Sequence, residues 1–376
     1  MNPALQKTIA FILLILAGYL LQKKISGKQD LKGVKVLILS VVLPATIFVA
    51  LLKIKITASM LLLPVLALLL NAALYFAAKA LLPKMGYEKD SAQWRTMAML
   101  LPSLAPGLSC MPFVLEYLGE EALAMSALAD VGNKVFVLII LYLIAMNWYY
   151  RTRATPAEEG PGRGKKLKDL GGSLLREPVN LVIVTAILML SFGLDIGALP
   201  AFLADTTIRL AGLMTPVVLL FIGMAVRFER KQMTMIVRVL ALRSGLAFLL
   251  SGLFLLVVPA MAPAAALLAV AFPQSAVSFW PFAHMSAVEL QVKEGEASVF
   301  DTDLALNVLA CSLPFATVVM LTVLSLGSTF ADPLVCLGTG GLFLVAPLVY
   351  AVRKRGVRAA AKRKNWGVGE YASSGR

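Results

Sequence analysis

Eleven apolar segments follow one another along the chain, at roughly 6–22, 33–52, 58–82, 92–118, 121–150, 177–197, 204–227, 235–259, 262–286, 299–326 and 332–352. Polar residues and short Gly- and Pro-containing stretches collect between them. About 20 apolar residues cross a bilayer core as a helix, so the pattern predicts an all-α polytopic membrane protein. Spans 4 and 9 differ from the others. Span 4 contains Pro102, Pro106, Ser109, Cys110, Pro112 and Phe113; span 9 contains Pro273, Gln274, Ser275, Ser278, Pro281 and Phe282. Both carry Ser-x-x-Pro-Phe, offset by 169 residues. Proline lacks the backbone donor and clashes with the preceding turn, so both helices are expected to break near their middles. Broken backbone at membrane depth is tolerated only where it is buried in protein or lines a cavity. A matched pair of breaks in two halves points to a transporter's binding site.

Other positions match in the same order. Ile12–Gly18 parallels Ile187–Gly193, Pro44 parallels Pro216, and Asp130 and Asn133 parallel Asp303 and Asn307, at offsets of 175, 172 and about 173. The expected organisation is a first five-helix repeat at 1–150, a cytoplasmic linker at 151–176 and a second five-helix repeat at 177–327. An extra transmembrane helix at 328–352 and a basic cytoplasmic tail at 353–376 follow. Five spans per repeat invert the second half relative to the first, so the broken helices should cross near the midplane. Each break exposes a half-helix N-terminus, whose N–H groups and partial positive charge suit a small anion.

Composition fits this frame: 59% of the 376 residues are hydrophobic and the mean hydropathy is +0.84. Charge adds an orientation. With the N-terminus outside, 29 of the 35 Lys and Arg fall on the inner side and four on the outer side (Lys7, Lys53, Lys55 and Arg209). The positive-inside rule then gives N-out, C-in in the cell membrane. The net charge of +14 follows from this topology and from attraction to anionic lipid headgroups, so no nucleic-acid partner is expected. The basic N-terminus leads into a retained first helix, because no small-residue cleavage site follows it. Trp148, Tyr149 and Tyr150 suit an interfacial aromatic belt. Cys110, Cys311 and Cys336 all lie in apolar segments and suggest no disulfide framework.

Ionisable groups at membrane depth are functional candidates. Asp130 and Lys134 lie four apart on one helical face, either as a structural ion pair or as a proton or sodium carrier. Asn133, Asp303 and Asn307 join them as ion-coupling candidates. Ser109, Gln274, Ser275 and Ser278 sit at the breaks, where a bound carboxylate would meet them; otherwise their hydroxyls would bond their own backbone. His284 is either a group titrating near neutral pH or an ordinary histidine near the inner mouth. Arg243 is expected to snorkel to the inner interface.

Several of these stretches resemble the auxin efflux carrier family of membrane transport proteins. Gly18-Tyr-Leu-Leu-Gln-Lys-Lys with Lys32-Gly33 and Leu43-Pro44-Ala45 is similar to its first two spans. Met111-Pro112-Phe113, then Tyr117-Leu-Gly119-Glu120-Glu121-Ala122-Leu, Asp130 and Asn133, resembles its fourth and fifth. Thr215-Pro216 with Leu220-Phe-Ile-Gly223 resembles its seventh, and Ser312-Leu-Pro314 its tenth. The resemblance covers most of 8–325. It implies an inverted-repeat fold of ten helices, a scaffold from the first two spans of each repeat, and a substrate crossover at Pro112, Pro281 and the polar residues beside them, Cys110 included. It also implies transport of organic anions such as auxin or dicarboxylates. The chain departs from the family in carrying serines near the crossovers, where asparagine is frequent, and in its eleventh span.

The expected function is secondary transport of a small organic anion by alternating access, with no enzymatic activity. Neither His-Glu-x-x-His, Gly-x-Ser-x-Gly nor a phosphate-binding loop occurs in the sequence. No cofactor is expected; Na+ or H+ is the candidate coupling ion. The alternative is a sodium/proton-type cation antiporter or a sodium-coupled symporter on the same fold, as in bile-acid/sodium symporters. A homodimer is compatible with the sequence, since residues facing a second copy resemble residues facing lipid.

Overall fold

A computed structural model describes residues 3–25, 28–53, 57–152, 178–225, 233–259, 261–292, 296–345, 347 and 349. The tail expected at 353–376 and, beyond Thr152, the linker expected at 151–176 lie outside the described residues. Among the described residues the elements are helices without a strand. Among the described residues six helical segments are long and apolar enough to cross a membrane, and four shorter apolar helices accompany them.

Helix α1 spans Pro3–Leu21. Helix α2 runs from Lys28–Leu37 through a π-helical turn at Ile38–Val42 into Leu43–Leu52, and α3 spans Leu63–Leu81. The fourth span is broken: α4a is Ala92–Leu100, and α4b begins at Met111 and stops at Gly119. Gly119 has φ +88°, a conformation that side-chain-bearing residues rarely adopt, and there the chain turns into α5. Helix α5 continues through a π-helical turn at Phe136–Ile140 into Leu141–Thr152. Asn133 of α5 returns to hydrogen-bond the Leu104 carbonyl, so the chain doubles back at Gly119. Helix α6 is Pro178–Ser191, and α7 is Ala201–Gly212 followed by Met214–Ala225. Helix α8 is Met233–Val257; α9a is Pro263–Ala271 and α9b is Trp280–Glu289. Helices α10 (Thr302–Leu326) and α11 (Pro333–Val345) complete the order.

The prolines act differently from the expectation. Pro112 and Pro281 lie in the first turns of α4b and α9b, where a missing N–H removes no helical hydrogen bond. The chain leaves the helix earlier, around 101–105 and 275–279. Pro44 likewise opens the last part of α2, and Pro216 lies just after the break in α7. The match of Gly18 with Gly193 does not hold in space. Gly18 is inside α1, whereas Gly193 lies beyond the end of α6 with φ +70°.

Helix α1 packs along the second half of α7, and α6 along the second half of α2. Helix α3 packs on α5, and α8 on α10. Between α1 and α7 the backbones nearly touch: a Cβ on Gly18 would overlap the Leu220 carbonyl, and one on Gly223 the Ile15 carbonyl. Small residues allow such approach where packing, not water, drives helix association. Gly223→Ala is therefore expected to destabilise the protein by about 1–3 kcal/mol in thermal melts. Gly212→Ala, which meets open space, serves as the control. Helix α11 covers α8 and α10, with the Phe343 ring 5.7 Å from Phe248 and 6.4 Å from Phe315.

Buried side chains form two apolar clusters. One contains Phe113, Leu123, Phe248, Leu268 and Met320, together with α1, α2, α6 and α7 residues. The other contains Trp94, Phe136, Leu240, Met285 and Val308. Helices α5, α8 and α10 run from one cluster into the other, while the broken spans place one half in each. Trp148 and Tyr149 belong to the second cluster and are buried, with Trp148 against Trp94 and Phe300, so they form no lipid-facing belt.

Candidate functional site

Where the two broken spans meet, extended backbone crosses extended backbone. The Ala105 N–H donates to the Ala276 carbonyl at 2.8 Å. Four serines supply further bonds. Ser109 Oγ accepts from the Ala276 N–H (2.8 Å) and donates to the Ala105 carbonyl (2.8 Å). Ser103 Oγ accepts from the Ser278 N–H (3.2 Å) and donates to the Leu100 carbonyl (2.7 Å). Ser312 Oγ of α10 accepts from the Val277 N–H (3.3 Å), and Ser275 Oγ donates to the Phe272 carbonyl (2.6 Å). Each hydroxyl thus satisfies backbone groups that the helix breaks release, as an apolar surrounding requires.

The crossing occupies a polar layer between the two apolar clusters. Asn133 is its hub: it donates to the Leu104 carbonyl (3.0 Å) and to Asp130 Oδ1 (2.8 Å), and accepts from Asn71 Nδ2 (2.8 Å). Lys134 Nζ lies 3.4 Å from Asp130 Oδ2 and 3.4 Å from Asn180 Oδ1 of α6. The Asp130–Lys134 pair anticipated from the spacing is therefore formed, and both members are buried.

Arg243 does not snorkel. It is 3% exposed; its Nε donates to the Leu101 carbonyl (3.0 Å) and an Nη to the Ser103 carbonyl (3.2 Å). The guanidinium thus covers the C-terminal end of α4a, where a cation is favoured by the helix dipole. Gln274 Nε2 donates to the carbonyl of Ser244, the residue after Arg243, at 3.2 Å. Helix α8 begins at Met233, which places Arg243 nearly three turns inside the helix and too deep to reach the end.

Three other predicted residues lie away from this layer. Asp303 sits exposed in the first turn of α10, next to Asp301, whose carboxylate caps that helix by accepting from the Leu304 N–H (2.9 Å). Asn307 is half-buried in the next turn, and Ser312 is the residue that α10 brings to the crossing. His284 is buried in the second cluster, donating from Nε2 to the Val137 carbonyl (3.0 Å) within the π-helical turn of α5. Its neighbours there are the Tyr142 and Trp280 rings. Cys110, Pro112, Gln274, Ser275, Ser278 and Pro281 are all buried at the crossing.

The sequence did not single out Asn71, Ser103 or Ser312 as site residues. Asn71 carried a signal, as the sole amide in the apolar run Leu61–Leu82. Among the described residues no three His, Cys, Asp or Glu side chains converge to hold a metal ion.

The helix ends group on two sides of this layer. On one, Lys7 Nζ donates to the Glu116 carbonyl (2.6 Å), and Lys53 pairs with Glu120 (2.6 Å). Thr8 Oγ1 there shares hydrogen bonds with Tyr117 OH (2.7 Å) and Ser325 Oγ (2.6 Å). On the other, Arg95 Nε donates to the Val299 carbonyl (2.7 Å) and Tyr149 OH to the Gln291 carbonyl (3.3 Å). An apolar cavity of about 470 Å³ opens between α1, α7 and α10, lined by Ile12, Ile15, Ile222, Pro314 and Leu321, with Thr8 and Ser325 at one end. No family model and no curated protein matches this chain.

Proposed function

We propose that the protein is a secondary transporter for a small organic anion such as a carboxylate, carried by alternating access around the crossing of α4 and α9, and not an enzyme. The observation that carries this proposal is the crossing itself: two broken spans meet in one buried polar layer between two apolar clusters. A layer of this kind supplies polar recognition at membrane depth while the apolar clusters seal either side. The resemblance to auxin efflux carriers agrees with it, as does a two-repeat, inverted organisation. In that organisation α1 and α2 correspond to α6 and α7, so the α1–α7 and α6–α2 packings are counterparts. The proposed membrane is the plasma membrane, with N-out, C-in orientation. Asp130, Asn133 and Lys134 are the proposed ion-coupling group, and Asp303 drops out because it lies at a helix start.

In this scheme α1, α2, α6 and α7 form the scaffold and the remaining helices the moving body. The Lys7, Thr8 and Lys53 contacts join scaffold to moving body on one side of the layer, which in this scheme is the closed side of an alternating-access carrier. Cysteines at Thr8 and Ser325, whose hydroxyl oxygens are 2.6 Å apart, are expected to form a disulfide. That disulfide should stop transport, with recovery on reduction; full transport in the oxidised double variant contradicts a closed gate here.

The functional test is gradient-driven uptake into proteoliposomes, with a panel of radiolabelled carboxylates under imposed sodium or proton gradients. Uptake of a carboxylate driven by one gradient supports the carrier and identifies its coupling ion. Proton movement that needs sodium and no organic anion favours the antiporter.

A further inference from the structure

Arg243 is a full positive charge in the polar layer that no described residue neutralises. Among the described residues no carboxylate lies within ion-pair distance of it; Asp130 in the same layer is paired with Lys134. A guanidinium has five N–H donors in a planar fork. Among the described residues it donates two hydrogen bonds, both to backbone carbonyls of the α4 break. Gln274, which bonds the carbonyl of Ser244, the residue after Arg243, is 1% exposed, and its Oε1 is buried without a hydrogen-bond partner among the described residues. Burying a charge with only dipoles for company is costly, and buried polar atoms in finished structures are nearly all satisfied. Two incompletely satisfied groups, one bonded to the α4 break and the other to the backbone carbonyl next to Arg243, mark the crossing as a place where a ligand completes the bonding.

We infer that Arg243 is the binding residue that supplies the counter-charge for the carried anion. A carboxylate oxygen of the ligand accepts from the guanidinium donors that the α4 backbone leaves unused. This rests on the carrier proposal, and it adds the residue on which anion selectivity depends. The two bonds to Leu101 and Ser103 fix the plane of the fork, which favours a planar oxyanion over a compact halide. They also link the charge to the break in α4, so filling the site and holding the crossing together act on the same backbone.

The test measures ligand-dependent thermal stabilisation of the full-length protein in nanodiscs, with acetate, succinate and phenylacetate as probes and their methyl esters as uncharged controls. At least one acid is expected to stabilise the wild-type protein, and its ester not. Arg243→Gln keeps an amide donor at the position of Nε, which bonds the Leu101 carbonyl, and removes the charge. It is expected to weaken binding of that acid about 30-fold or more, the lower end for breaking a buried charge pair. Arg243→Lys is expected to recover part of the affinity. Arg243→Gln protein that melts cooperatively and binds the acid as wild type does overturns the inference. If Arg243→Gln does not fold, the wild-type comparison decides: an ester that stabilises as well as its acid overturns it. Failure of the carrier proposal reads differently, because an acid that binds through Arg243 but is never moved in proteoliposomes leaves a binding protein, not a carrier.

Discussion

Asp130→Asn is expected to destabilise the protein severely, by about 3–5 kcal/mol, because it breaks a buried ion pair by removing the charge on one member. Asp130 and Lys134 are both nearly excluded from solvent, and Lys134 reaches Asn180 of α6 as well as the carboxylate. The double variant Asp130→Asn/Lys134→Met removes both charges and is expected to melt close to the wild-type temperature, since replacing a whole buried pair by apolar groups is often neutral. Thermal melting of the two proteins checks the first part. Flux through the double variant then separates the two roles of the pair. Wild-type flux makes it a structural tie between α5 and α6. A folded protein that carries anion without response to an ion gradient makes it the coupling group.

Asn133→Leu is the second large effect. The substitution keeps the volume of the side chain and deletes all three of its hydrogen bonds. The Leu104 carbonyl and the Asn71 amide then lose their partner in an apolar surrounding, each at about 1–3 kcal/mol. Asn71→Leu alone is expected to cost less, because Asn133 keeps its bonds to Leu104 and Asp130. Combining the two should cost less than the sum, since the pair then leaves no amide stranded opposite leucine. Equal melting of Asn133→Leu and wild type would contradict the hub role.

The helical segments were legible because long apolar runs admit little else. The two breaks were legible because proline and serine cluster in only two of those runs. Their position was displaced by several residues, for a local reason: Pro112 and Pro281 begin helices, and the chain has already left the preceding helix when it reaches them. Asp130 and Lys134 were legible through i,i+4 spacing, a relation within one helix. Arg243 was not, because its partners are carbonyls on another helix, and a lone arginine near the start of an apolar run gives the same pattern as one that reaches the headgroups. Asp303 was overrated for the related reason that residue offset does not fix depth. Helix α10 starts at Thr302, so its third turn, not its first, meets the crossing. The serine pairings across α4, α9 and α10 join residues distant in sequence, and nothing local announces them.

The central claim is that the crossing of α4 and α9 carries an anion from one side of the membrane to the other. Counterflow tests it most directly: proteoliposomes preloaded with one unlabelled carboxylate are diluted into a trace of the same carboxylate carrying a radiolabel. The account predicts transient accumulation of label above its equilibrium level in wild-type protein, and its loss on oxidising the Thr8→Cys/Ser325→Cys variant. Label that merely equilibrates, or that enters no faster than in empty liposomes across the panel of carboxylates, would contradict it.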